Sequence, residues 1–72
     1  MNTNQQQSIS EIFKIIAQMA RSNPNNKVLG EEAEMAIKKK GFTGEDFQKT
    51  LFQYTKLSLI YVSAADGTIS FI

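Results

Sequence analysis

Glu31, Glu32 and Glu34 crowd one short stretch of the chain, and Lys38, Lys39 and Lys40 follow closely. Grouped carboxylates could hold a divalent cation or share a proton, and adjacent ammonium groups could contact phosphates. Both clusters also have a plainer reading. Acids in the first turn of a helix and cations in its last are stabilised by the macrodipole. Glu34 precedes Lys38 by four residues, the spacing of an ordinary surface ion pair. Without a glycine-turned loop or a histidine, the glutamates do not make a cage for a metal. Lys38, Lys39 and Lys40 are therefore kept only as weak candidate phosphate contacts on a solvated helix end. The chain has no Cys and no His, which removes thiolate chemistry, disulfides, zinc-finger folding and the commonest general base. This inventory argues against an enzyme: no catalytic residue, no metal and no cofactor is expected.

The chain has 72 residues, enough for one small domain that buries about 60% of its unfolded surface. Hydrophobic residues make up 42% and charged residues 21%, a balance that suits a folded chain rather than a disordered tail. A net charge of +1 gives no overall attraction for nucleic acid, so DNA binding would need local clustering. No apolar run approaches the roughly 20 residues that cross a bilayer. The first ten residues carry Gln and Asn where a signal peptide would carry Leu. The expectation is a soluble, intracellular domain that makes no membrane contact and is monomeric when isolated.

Residues 1–7 hold no apolar side chain after the initiator and are expected to be a flexible lead-in or the end of a linker, leaving residues 8–72 as the folded domain. Ser8 and Glu11 form a Ser-x-x-Glu capping box, which predicts the first helix from Ser8 to about Arg21. Ile9, Ile12, Phe13, Ile16, Met19 and Ala20 give that helix its apolar face. Asn23-Pro24-Asn25-Asn26 stops it, and Val28-Leu29 is a single strand-like step. Glu31 to Lys40 predicts a second helix with Ala33, Ala36 and Ile37 buried and Gly41 as its C-terminal glycine. Thr43 then reads as the N-cap of a third helix, with Asp46 at N3 and Phe42 opposite Phe47 as a hydrophobic staple. Phe47, Leu51 and Tyr54 form its apolar line, and fraying is expected near Lys56. Beyond it the period changes to two: Leu57 to Ser63 and Thr68 to Ile72 read as strands joined by an Asp66-Gly67 hairpin turn.

Helix, short strand, helix, helix, hairpin is the order of a winged helix. The expected fold is α+β: a three-helix helix-turn-helix core, a C-terminal hairpin wing, and Val28-Leu29 as a short extra strand. A DNA-reading third helix should offer cations or amides to base edges from its N-terminal end. Here that end carries Glu45 and Asp46, and the wing tip adds Asp66 and no cation. Met35 and Phe52 fall off the apolar stripes of the second and third helices. They either pack under a neighbour or mark a partner surface that would also include Lys49, Gln53 and Lys56.

Val28, Glu32-Ala33-Glu34, Gly41-Phe42-Thr43, Phe47-Gln48, Leu51, Tyr54, Leu57, Val62, Ala64 and the closing Ile69-Ser70-Phe71-Ile72 carry a family likeness across residues 28–72. In these residues the chain resembles the C-terminal winged-helix domain of the minichromosome-maintenance (MCM) replicative helicase, most closely its seventh-subunit branch. Members of that branch have a polar residue where Phe52 stands and a basic one at the wing tip. The resemblance implies a nuclear, non-catalytic module of an ATP-driven helicase whose motor lies upstream, working in helicase loading and DNA replication. It implies contacts with other replication-licensing proteins, including the origin recognition complex, and with other helicase subunits, with at most weak non-specific DNA binding. The alternatives are a winged-helix DNA-binding domain of a transcription regulator and a bare structural cap on a larger assembly.

Overall fold

Every element of secondary structure sends at least one apolar side chain to a single core, and the order of those elements follows from where the apolar residues fall. The computed structural model describes residues 3–72, with side chains from residue 6 onward. It is α+β: α1 (Thr3–Arg21), β1 (Lys27–Leu29), α2 (Gly30–Lys39), α3 (Gly44–Lys56), β2 (Ile60–Ser63) and β3 (Thr68–Phe71). Ile12, Ile16 and Ala20 come from α1, Ala33 and Ile37 from α2, and Phe47 from α3; Val28, Ile69 and Ile60 come one from each strand. Each of the large side chains contributes about 1.5–3 kcal/mol by leaving water.

The strands form one antiparallel sheet in the order β1-β3-β2, so the last strand lies in the centre. Val28 stands opposite Ile69, and Val62 stands opposite Ile69 from the other side. A two-stranded hairpin alone is marginal, and β1 supplies the third strand that stabilises it. The hairpin turn is also tied to α2: the Gly30 N–H donates to the Gly67 carbonyl at 2.7 Å. A Cβ at Gly30 would lie 3.1 Å from that same oxygen, so glycine is suited to this approach. Gly67 itself has φ +68 and closes the turn, with its N–H donating to Ser63 O. Asp66 accepts from both the backbone N–H and the hydroxyl of Thr68, and the hydroxyl hydrogen bond foremost holds its carboxyl below the usual carboxylate range.

Three expected boundaries are corrected. Helix α1 begins at Thr3 rather than Ser8, so Ser8 and Glu11 lie inside it and residues 3–7 are helical rather than a lead-in. Three consecutive glutamines are good helix formers, and extending a nucleated helix costs far less than starting one. Residues 1–2 lie outside the described residues. At the other end, Leu57, Ser58 and Leu59 are not strand. Leu57 caps α3, Ser58 turns the chain at φ 61, and the Leu59 N–H reaches back to Tyr54 O at 3.0 Å. This is the same closing geometry that ends α2, where Gly41 (φ 99) takes the turn and Phe42 N–H bonds Ile37 O. Finally, α2 starts at Gly30 straight out of β1, with Leu29 as its N-cap and no side chain capping it.

The third helix begins as expected, with Thr43 Oγ1 accepting from the Asp46 N–H at 3.1 Å. Phe13 of α1 stacks on Tyr54 of α3 with ring centroids 3.8 Å apart, and meets Phe71 of β3 at 5.5 Å. These three rings lock α1, α3 and the sheet together beside the aliphatic core, beyond what their buried area alone contributes.

Candidate interaction surface

The sides of α3 divide cleanly. Phe47 and Thr50 are buried, Leu51 and Tyr54 are half-buried against the core, and Gln48, Lys49, Phe52 and Lys56 face outward. Phe52 is 67% exposed, which settles the first of the two positions left open by the sequence. Lys56 folds back so that its Nζ lies 5.2 Å from the centre of the Phe52 ring. Lys49 pairs with Glu45 at 3.4 Å, one turn earlier on the same face. Both are ordinary surface contacts, worth at most about 1 kcal/mol each.

Phe52 forms a ridge between two shallow hollows. Lys56 and Leu57 border one of about 360 Å³; Gln6, Ile9, Gln48 and Lys49 border another of about 430 Å³; Phe52 and Gln53 line both. Leu57, 58% exposed, extends the apolar surface past the helix end. Lys49, Phe52, Gln53 and Lys56 thus belong to one surface. Met35 does not join them. It is 64% exposed on α2 and borders a separate hollow with Met19, Glu32, Ala36 and Lys39, so the expected five-residue surface is two surfaces. The outward faces of α2 and α3 diverge because each helix turns its other side, through Ala33 with Ile37 and through Phe47, to the shared core.

Leu57, Gln6 and Ile9 were not among the expected residues. Leu57 was hidden by its strand-like neighbourhood. Gln6 and the buried Ile9 border the second hollow because α1 packs along α3, and Gln6 does so only because α1 is longer than its capping signal implied. A helix starting at Thr3 could have been suspected from the glutamine run alone.

Of the lysine cluster, Lys38 is held by Glu34 at 3.4 Å in the i,i+4 pair that the spacing predicts. Lys39 and Lys40 are exposed. The three glutamates are not gathered: among the described residues, no group of three or more acids is placed to hold a metal ion. No helix of the described residues is long and apolar enough to cross a membrane. Neither the models of known protein families nor the curated proteins include a match to this chain.

Proposed function

We propose that this chain is a non-catalytic winged-helix interaction module, the C-terminal domain of an MCM replicative helicase subunit. It acts in the nucleus in helicase loading and DNA replication, through contacts with other licensing proteins and helicase subunits. The element order supports the winged-helix reading: α2 and α3 stand as the helix-turn-helix pair, the β2–β3 hairpin as the wing, and β1 as the strand that joins it. Several of the residues that carry the resemblance hold structural positions here. Val28, Ala33, Phe47 and Ile69 are core, Gly41 closes α2, and Thr43 caps α3.

The observation that carries the functional reading is Phe52. The outer side of α3 is the side that a DNA-reading winged helix would place in the major groove. Here it presents an exposed aromatic ridge, and its N-terminal turn carries Glu45 and Asp46, which phosphates would repel. An apolar anchor in a thin polar rim is what a protein partner uses.

A DNA-binding transcription regulator is the second reading, favoured by Lys39 and Lys40, which are exposed and without an ion-pair partner among the described residues. Titration at rising salt separates the two. Binding to licensing proteins is expected to change little with salt, whereas phosphate contacts give a steep negative slope. Duplex binding near physiological salt is expected to be no tighter than the roughly 10⁻⁴–10⁻⁶ M of non-specific contact. Sub-micromolar, sequence-dependent duplex binding would reverse the order of the two readings.

A further inference from the structure

The hollows beside Phe52 define a line along α3, and that line has a length and a charge. From Gln48 at one border to Leu57 at the other is nine helical steps, or roughly 13 Å. A partner helix of about two and a half turns spans the same distance, and its residues seven apart lie roughly 10 Å apart on one face. Two apolar side chains at that spacing would settle in the two hollows with the Phe52 ring between them. An extended segment would place successive side chains on alternate sides and fill such a line less well.

Charge narrows the occupant further. Along this face Glu45 and Lys49 offset each other at 3.4 Å, while Lys56 has no carboxylate within ion-pair distance among the described residues. The apolar ridge therefore has an uncompensated cation at its C-terminal end, directly over the ring. A second copy of this chain would set one face carrying Lys49 and Lys56 against another such face, which brings like charges together and disfavours pairing. DNA would meet a mainly apolar surface that includes Glu45.

We propose that the Phe52 ridge docks an amphipathic helix of another protein, with apolar residues at i and i+7 straddling Phe52 and a carboxylate beside them pairing with Lys56. This inference rests on the reading of the chain as a protein-interaction module and specifies what the module takes.

The test is selection of a phage-displayed library of random peptides, about 16 residues long, against the intact chain. Enriched peptides are then synthesised and titrated against the native protein, Phe52→Ser and Lys56→Gln. Peptides with apolar residues at i and i+7 and an adjacent Asp or Glu are expected. Their affinity should fall at least about tenfold with Phe52→Ser and about three- to tenfold with Lys56→Gln. The Lys56→Gln loss should shrink at high salt. If Phe52→Ser perturbs the amide spectrum, Lys56→Gln carries the test alone. Enriched peptides that are basic, or that bind Lys56→Gln as well as native protein while losing Phe52→Ser, would overturn the acidic-helix assignment and leave the interface reading standing. Binding indifferent to both changes, or no enrichment at all, would overturn the docking site. Concentration-dependent self-association abolished by Phe52→Ser would assign the ridge to a second copy, and duplex binding abolished by it would assign the ridge to DNA.

Discussion

Phe47 and Phe52 stand five residues apart on one helix; the first is 3% exposed and the second 67%. Five steps turn a helix by about 140°, so the two rings cannot share a face. The inner face of α3 also takes a polar residue, Thr50, fully buried with its hydroxyl donating to Asp46 O at 2.7 Å. The outer face takes an aromatic residue with no core to enter. A buried polar group is tolerated because it is hydrogen-bonded, whereas the exposed ring meets only the Lys56 ammonium and takes no part in the core. The contrast teaches that the inner face of α3 is explained by folding, whereas the place of Phe52 on the outer face is not set by the core.

The largest expected effect lies on the inner face. Phe47→Ala removes a buried ring from the shared core and should cost about 3–5 kcal/mol. A domain of this size rarely has more than roughly 3–5 kcal/mol in hand. The variant should be largely unfolded at room temperature, and a native-like amide spectrum for it would erase the distinction between the two phenylalanines.

Next comes the residue that caps the start of α3, the helix both rings share. Thr43→Ala removes the acceptor for the Asp46 N–H and should cost about 1 kcal/mol in denaturant unfolding. Thr43→Ser, which keeps the oxygen, should recover most of that loss. Equal losses for the two variants would mean that the cap hydrogen bond does not hold the start of α3.

How much of this could be read from the sequence depends on whether the signal was local. The start of α3 was legible because Thr43, Asp46 and the flanking phenylalanines are the groups that do the capping and packing. The end of α2 was legible because Gly41 takes a positive φ that glycine adopts without strain. The end of α3 uses the same geometry with Ser58 at φ 61, and a serine among β-formers gives no sign of it. That single residue hid both the true start of β2 and the place of Leu57 beside Phe52. The period placed Phe52 off the apolar stripe of α3 but left open whether a neighbour covers it, and only the packed structure shows it exposed. The hollow it shares with Gln6 and Ile9 was not legible, because it forms between α1 and α3, far apart in the chain.

A smaller effect is expected at Thr50. Thr50→Val is nearly the same shape and removes a donor whose acceptor, the Asp46 carbonyl, is only partly buried. Stability should change by less than about 1 kcal/mol, because the lost hydrogen bond is offset by gained apolar burial. A loss of about 2–3 kcal/mol, measured by thermal or denaturant unfolding, would mean that the inner face depends on the hydroxyl rather than on packing.

The smallest effect on stability should come from the substitution that most changes the outer surface. Phe52→Asp discards an aromatic ring, yet that ring contributes little to the core, so the transfer loss that dominates at Phe47 is nearly absent. What it does lose is the contact under Lys56, worth about 0.5–1 kcal/mol at an exposed site. The new carboxylate regains part of that, since Lys49 lies three residues before it and Lys56 four after, both at ion-pairing spacing. The net change should fall within about 0.5 kcal/mol, the range of ordinary surface substitutions. Partner binding should weaken by at least about 1–2 kcal/mol, because the same change removes an apolar anchor and occupies the cation beside it. Unfolding of Phe52→Asp in thermal melting would show that the ring is part of the core and end the comparison of the two faces. A stable variant with unchanged affinity for licensing proteins would move the interface off α3, and the exposed side of the hairpin around Tyr61 would be the next surface to test.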